Sequence, residues 1–550
     1  MVRNGTLQHL ARYYSKPVQL TKELFFYVRS VSNLRDRGLI FVNLRVVLER
    51  VIMKGLERLA VIRKQSENKD YNWIHRDIFR LLKKDDLWLT AYETRKKRIK
   101  NWNVHSFRVT FNFDLYNLIS LKEKVINESY VPFFKEDTFD YMKISSFEND
   151  IVEEILIMIL EAVFEPLFKK TSFGFRPYLG PHDALSYIEK SFRSSDFVIQ
   201  QEVQYEFINK NVLCDLIRKK IDDVRFINLI RKFLNAGLLI KSNTFVHSLF
   251  EMQCGSFLSY VLINIYFHEL DIWIENKVKE SFNKYQSTNV AKKSHITSYL
   301  RYSNLKERLH IRKNHNWTEI NEFNVKPINY LRYLNKWLVG IEGDKEFIVQ
   351  IQKEIFIFLK NSLYLSIVSS ESISLNNRAV FFLGYEIGLS KINSLYLDNS
   401  YNYKKLKFSL PIKNLLQFLE KKGIVTTTNK GVRSISKSDY TVLDDYLIID
   451  YFKSFWIEIN NYYSGLTYPC LLQYLHHLIH ISCVMTLAHR HRSSCVKLFK
   501  ERGRLLTCKN KETGNYVFFP YRNSWSLKTR RWLYGKQFID PFKIIANKRL

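Results

Sequence analysis

The chain has 550 residues and a mass of 65.9 kDa, room for three or four domains at about 150 residues each and for a sizeable core. Lys and Arg number 85 against 54 Asp and Glu, a formal excess of 31 positive charges, while 46% of residues are hydrophobic. That composition excludes a disordered basic tail, and the charge favours a polyanionic partner, nucleic acid or an anionic membrane surface, over a neutral metabolite.

The charge is uneven: from Arg490 to Leu550 stand 16 Lys or Arg against three acids, Glu501, Glu512 and Asp540. Gly (17) and Pro (10) are scarce, while Phe (40) and Tyr (33) are abundant. Lys, Asn, Ile, Phe and Tyr have AT-rich codons, so the bias reads as that of an AT-rich genome such as an organelle's. Six cysteines occur without a C-x-x-C pair, which excludes a zinc ribbon and a disulfide framework as readings. The N-terminal stretch has no apolar h-region, so no secretory signal is expected. The most apolar runs, such as Ile155–Phe168, are short or carry charges, so no membrane span is expected.

Along the chain, Leu44, Val47, Leu48, Val51, Ile52, Gly55, Leu56 and Leu59 fall on one helical face. A second helix is expected over about Trp73–Tyr92, leading into the basic run Arg95, Lys96, Lys97, Arg98. That run reads equally as a solvated helix end or as an RNA contact. Residues 103–145 read as loops and strands. Helices follow over 149–169, Leu216–Leu239 and Cys254–Ile272, with a long polar insertion between 275 and 325. Tyr330–Ile341 reads as a hairpin turning at Leu334-Asn335-Lys336, followed by a helix over 347–362 and strands through Phe381–Ile387. From 411 the text is mostly helical, broken near 423–438 by Lys, Thr and Ser, and it ends in a basic, aromatic tail.

Several blocks occur in a fixed order: NWIHRDIFRLLKKDDLWLTAY at 72–92, SFENDIVEEILIMILEAVFEPLFKKTSFGFRP at 146–177, the Gly-Ser helix at 255–271, YLRYLNKWLVGI at 330–341, FFLGYEI at 381–387, and the run from Leu443 through INNYYSG to Gly503. Together they resemble the maturase/reverse-transcriptase proteins of group II introns, over roughly residues 70–506. The resemblance implies an α+β fold: right-hand polymerase fingers and palm followed by an α-helical thumb and maturase domain, called domain X. It divides the chain into an N-terminal helical extension (1–120), degenerate fingers and palm (121–390), thumb and domain X (391–506), and the C-terminal tail (507–550).

The departures from the family pattern are chemical. Nucleotidyl transfer on such a palm needs carboxylates for two Mg²⁺ ions about 3.5–4 Å apart. Where the family turn reads Tyr-Ala-Asp-Asp, this sequence has Tyr333-Leu334-Asn335-Lys336, and Glu202 stands at the expected first-strand Asp. An amide and an ammonium cannot replace two carboxylates, so no catalytic residue and no protein-held metal is expected. Mg²⁺ would enter only as part of the RNA. Glu206, Glu342 and Asp344 lie nearby in sequence and are the acids from which a rebuilt site could be made. The family's terminal endonuclease domain, with its paired Cys and His, has no counterpart after residue 500.

The expected RNA-binding residues are Arg490, Arg492, Lys497, Lys500, Arg502 and Arg504 of domain X. Arg490, Lys497 and Arg504 recur every seven residues, and on one continuous helix they would form a stripe facing successive phosphates. Arg176, Arg95, Lys96, Lys97 and Arg98, the stacking candidates Tyr462 and Tyr463, and Arg530 and Arg531 of the tail complete the set. The tail reads either as an RNA-stacking strip or as a cap whose aromatics pack inward. The functional expectation is RNA binding that helps a group II intron fold and splice, by an organelle-encoded protein, plastid before mitochondrion. The alternatives are a module for other structured organellar RNA and a polymerase with a rebuilt site.

Overall fold

The computed structural model describes residues 55–67, 73–101, 115–136, 143–204, 207–239, 256–286, 328–341, 345–365, 371–390, 405–429, 431–510, 514–520 and 532–535. The expected helix before Gly55, the 287–327 insertion, and Glu206, Glu342, Asp344, Arg530 and Arg531 lie outside the described residues, as do the side chains of Lys97 and Arg98.

In the first described element, the helical stretch α1 (55–67), a carboxylate from elsewhere meets the backbone: Oδ2 of Asp86 accepts from the Gly55 and Leu56 amides at 2.8 and 2.9 Å. Strand β1 (His75–Arg76) and a 3₁₀ turn lead into α2 (Asp85–Asn101). Residues 115–126, expected as loop or strand, form helix α3 (Leu115–Ile126), whose Leu118, Leu121 and Val125 are buried at helical spacing. The short hairpin β2 (Phe134–Glu136) and β3 (Lys143–Ser145) follows.

Helix α4 (Phe147–Phe164) starts at Ser146, whose Oγ accepts from the Asn149 amide. It is apolar nearly all round because it runs between α2 and α8 (Phe257–Gln286). Between them the chain forms α5 (Pro181–Ser191), strand β4 (Phe197–Glu202), α6 (Lys210–Arg218), β5 (Ile221–Asp222) and α7 (Val224–Asn235). The single helix expected over 216–239 is thus two, because the chain extends at β5 to pair with β1.

The central sheet is antiparallel, ordered β6 (Ile328–Tyr333), β7 (Lys336–Ile341), β4, β8 (Glu371–Ser374). Helix α9 (Lys345–Ser362) connects β7 to β8. A second sheet pairs β10 (Tyr385–Ser390) with β9 (Val380–Phe382) and with β11 (Lys405–Ser409). The turn between β9 and β10 places both Leu383 (φ 47°) and Gly384 (φ 71°) in left-handed backbone, as a two-residue hairpin turn of the primed kind requires.

The C-terminal region is built from α10 (Ile412–Lys421), the hairpin β12 (Val425–Thr428) and β13 (Gly431–Ser434), α11 (Asp445–Tyr462), α12 (Cys470–Arg490), α13 (Cys495–Arg502), and the small hairpin β14 (Cys508–Lys509) and β15 (Tyr516–Val517). The Lys-, Thr- and Ser-rich break near 423–438 is therefore a β-hairpin. Among the described residues α12 alone is long and apolar enough to cross a membrane, and its apolar side packs on α11 within the fold.

Candidate nucleic-acid interface

The end of the central sheet carries the three positions where the expected metal carboxylates are replaced. The register pairs Glu202 on β4 with Lys336 on β7. The Lys336 ammonium lies 3.2 Å from Oε2 of Glu202 in a salt bridge, the lysine side chain 10% exposed and the glutamate 39%. Asn335 is buried; its Nδ2 donates to the Val203 carbonyl at 2.6 Å and its carbonyl accepts from the Val203 amide at 3.1 Å. The expected hairpin is present, but its turn is the pair Leu334-Asn335, and Lys336 is already in the strand. Of the three positions only Glu202 offers a carboxylate, and an ammonium already pairs with it. The donor set does not fit a divalent ion, and no group of three His, Cys, Asp or Glu able to hold a metal occurs among the described residues.

A fully buried arginine holds this turn. The Arg332 guanidinium donates to both carboxylate oxygens of Asp271 (2.8 and 2.7 Å), to Oδ1 of Asn264 (2.9 Å), to Oγ of Ser172 (2.7 Å) and to the Leu334 carbonyl (2.8 Å). Tyr330 donates to the same Asp271 carboxylate. A buried arginine survives because its donors are met and its charge is matched. The segment 171–174 lies beside β6, with Arg332 N donating to Thr171 O and Phe173 N to Arg332 O. A Cβ on Gly174 would stand 2.5 Å from the Leu334 amide nitrogen, so only glycine permits this approach.

Arg176, expected at RNA, belongs to this interior. It binds both oxygens of Glu165 (the closest contact 2.9 Å) and the carbonyls of Lys169 and Ser172, both at 2.7 Å. Its function here is to fix the loop. Arg95 is likewise turned inward, 3.3 Å from Glu154 and at the margin of Asp150 and Glu153. Lys96, by contrast, lies over the Tyr92 ring. Beside Arg95, Glu153 is completely buried. Its Oε2 accepts from Ser256, while Oε1 has no hydrogen-bond partner. Burial, then the neighbouring Asp150, pushes the Glu153 carboxyl up to about 8. Ser256 and the Arg95 guanidinium act in the opposite direction but do not outweigh the burial.

The expected seven-residue stripe is corrected. The α12 helix ends at Arg490, the chain turns through Arg492 (φ 47°), and α13 begins at Cys495 with Ser494 capping the Lys497 amide. The six basic residues separate into two sets. Arg490 binds Asp444, Asp445 and the Thr441 carbonyl, and Arg502 binds Asp445, as does Nε2 of His491. Burial raises the Asp445 carboxyl, but hydrogen bonds and charge from Arg502 and His491 outweigh it and hold Asp445 below the ordinary 3.8. These cations clamp α11 to the α12–α13 corner. Arg492, Lys497, Lys500 and Arg504 are exposed, and of these Lys497 makes only a long i, i+4 contact with Glu501, at 3.9 Å.

Tyr462 and Tyr463, expected to stack on bases, are core residues with 0% and 1% exposure. Tyr462 donates to Leu383 O, and its own carbonyl accepts from Tyr385 and His182. In the described part of the tail Phe519 lies against His476 and His480, and Trp532 against His182, Tyr385 and Phe408, whereas Tyr516, Phe518 and Tyr534 are exposed.

Sequence reasoning missed the outer face of α12, where Leu471, Tyr474 and His477 are exposed at i, i+3 spacing. One flank is the β12–β13 hairpin region with exposed Arg433, tied down by Ser434 to Leu478 O and by Ser482 to Ile435 O. The other flank is tied by Nε2 of His480 donating to Arg504 O at 3.0 Å. Burial, then His476, lowers His480 to about 4, so this tie is made by neutral imidazole.

Residues 403–549 match the family model for the type II intron maturase. The C-terminal region thus matches a type II intron maturase domain, and the chain is similar to group II intron-encoded proteins and to maturase K. It is similar to the group II intron-encoded protein LtrA of Lactococcus lactis subsp. cremoris, 25% identical over 393 residues that cover 65% of this chain and 64% of that protein. An uncharacterized 91 kDa protein in the cob intron of Schizosaccharomyces pombe is 29% identical over 369 residues, covering 64% of this chain and 45% of its own length. Maturase K of Chaetosphaeridium globosum is 28% identical over 325 residues, covering 54% and 59%. The matches therefore span less than two thirds of each of these relatives. The region matched by the maturase model contains the Asp445 clamp, the exposed cations and the outer face of α12.

Proposed function

We propose that the protein is an RNA-binding, maturase-like splicing factor that helps a group II intron fold and splice. One observation carries this reading: Arg492, Lys497, Lys500 and Arg504 are exposed in the region that matches the maturase family, where Arg490 and Arg502 are consumed by internal acids. The exposed cations meet phosphates and release counterions. Tyr474 and His477 offer rings to unpaired bases. Binding the competent RNA fold more tightly than its competitors shifts the RNA toward splicing, and the Mg²⁺ of cutting and joining belongs to the RNA.

In this reading the central sheet is a polymerase palm retained as a scaffold, without reverse-transcriptase activity, because Asn335 and Lys336 stand at the metal positions. The composition and the maturase K relatives support an organelle-encoded protein, plastid before mitochondrion. Crosslinking followed by sequencing of the bound RNA is the test. Enrichment of a group II intron supports the proposal, and enrichment of ribosomal or unrelated RNA replaces it with a general RNA-binding role. Template-dependent cDNA synthesis lost on Glu202→Ala would overturn the scaffold reading.

A further inference from the structure

We infer that Lys336 supplies the positive charge at the end of the central sheet, so that this site excludes divalent metal and the sheet folds without it. Three observations converge. Lys336 and Glu202 are direct cross-strand partners on β7 and β4, so the register itself brings the ammonium to the carboxylate. The lysine side chain is 10% exposed, which removes much of the water screening that makes surface pairs weak. Asn335 closes the same end by exchanging hydrogen bonds with Val203 through its side-chain nitrogen and its carbonyl.

Two ion pairs flank the turn. Asp271 neutralises Arg332 beneath the turn, and Lys336 neutralises Glu202. A divalent ion approaching Glu202 would meet an ammonium 3.2 Å from the only carboxylate among the three metal positions, and like charges at such range repel, with the 39% exposure of Glu202 screening part of that repulsion. The ammonium thus stands in for the metal as a counter-charge while lacking its chemistry: it coordinates no phosphate and polarises no water. In a carboxylate-lined site, metal binding and stability are linked. Here that linkage is expected to be absent.

The test uses RNA-free full-length protein, so its outcome is separate from the intron reading. Mn²⁺ binding is followed by electron paramagnetic resonance, and thermal unfolding is compared in Mg²⁺ and in EDTA. The wild type is expected to show the same Tm in both and no Mn²⁺ binding that Glu202→Gln removes. The double variant Asn335→Asp with Lys336→Asp is expected to gain Mn²⁺ binding that Glu202→Gln then abolishes, and to gain several degrees of Tm on adding metal. Mn²⁺ binding by the wild type that is lost on Glu202→Gln overturns the inference, because the lysine would then yield to metal. A folded double variant without Mn²⁺ binding also overturns it, because Lys336 would then not occupy a cation position. Should the double variant fail to fold, the wild type against Glu202→Gln still decides.

Discussion

A buried and a half-buried carboxyl group respond to pH in opposite directions. Glu153 keeps its proton up to about pH 8 in the fold, against an ordinary 4.5. The folded state therefore binds more protons over that interval, and stability falls as pH rises from about 4.5 to about 8. Glu153→Gln is expected to flatten this slope, measured by urea unfolding across that range; an unchanged slope would place the titration elsewhere. Asp445 is depressed below 3.8 by Arg502 and His491, acting against its burial. Its contribution is complete above the ordinary value and is lost as pH falls through the depressed one. Asp445→Asn is expected to cost about 2 kcal/mol at neutral pH, the scale of hydrogen bonds to a charged group, and to remove that acid-side loss. Neither role was legible in the sequence. A glutamate on an apolar helix and an aspartate at the start of one look alike on paper, and only packing shows which is sealed from water and which is met by hydrogen-bond donors.

At the scale of elements, sequence periodicity located most helices and the central hairpin, because spacing fixes which residues can share a face. It failed where one residue changes a direction. A stripe at intervals of seven presumes an unbroken helix, whereas the turn at Arg492 ends α12 and restarts the chain as α13. The glycine-like position of Leu334 (φ 56°) was equally hidden, since the turn is held from outside by Arg332 on its carbonyl. Arg332→Met is expected to destabilise by about 3–5 kcal/mol, chiefly by leaving Asp271 buried and unpaired, as chemical denaturation would show. The split of the basic residues yields a sharper comparison. Replacing Lys497, Lys500 and Arg504 by Ala is expected to weaken RNA binding, flatten its salt dependence and leave Tm nearly unchanged. Arg490→Ala is expected to lower Tm through the lost Asp444 and Asp445 contacts, with little change in salt slope. A reversed pattern would mean that the exposed cations are only a solvated face.

At the scale of the whole molecule, segments more than 340 residues apart in sequence are held together. The Trp532 indole donates to Glu189 (2.7 Å), the Leu533 amide to Nδ1 of His182 (2.9 Å) and the Gly535 amide to Asp183 (2.8 Å), all on α5. The opposite nitrogen of His182 donates to Tyr462 O at the end of α11, and Tyr462 reaches the β9–β10 turn through Leu383. A Cβ on Gly465 would stand 2.1 Å from the Trp532 ring, so glycine is required where the segment crosses. The chain after Arg490 thus has two roles. Its exposed cations lie in the α12–α13 region, and residues 532–535 tie the C-terminal region to α5. Trp532→Ala is expected to cost about 3 kcal/mol from lost packing. It should also raise proteolytic cleavage between α5 and the C-terminal region, because the same contacts hold both. Trp532→Phe retains the packing but loses the Glu189 bond, and is expected to cost about 1 kcal/mol. Thermal unfolding and limited proteolysis of both variants check this order. An indole that instead stacked on RNA would leave both measurements unchanged and lower RNA affinity at every salt concentration.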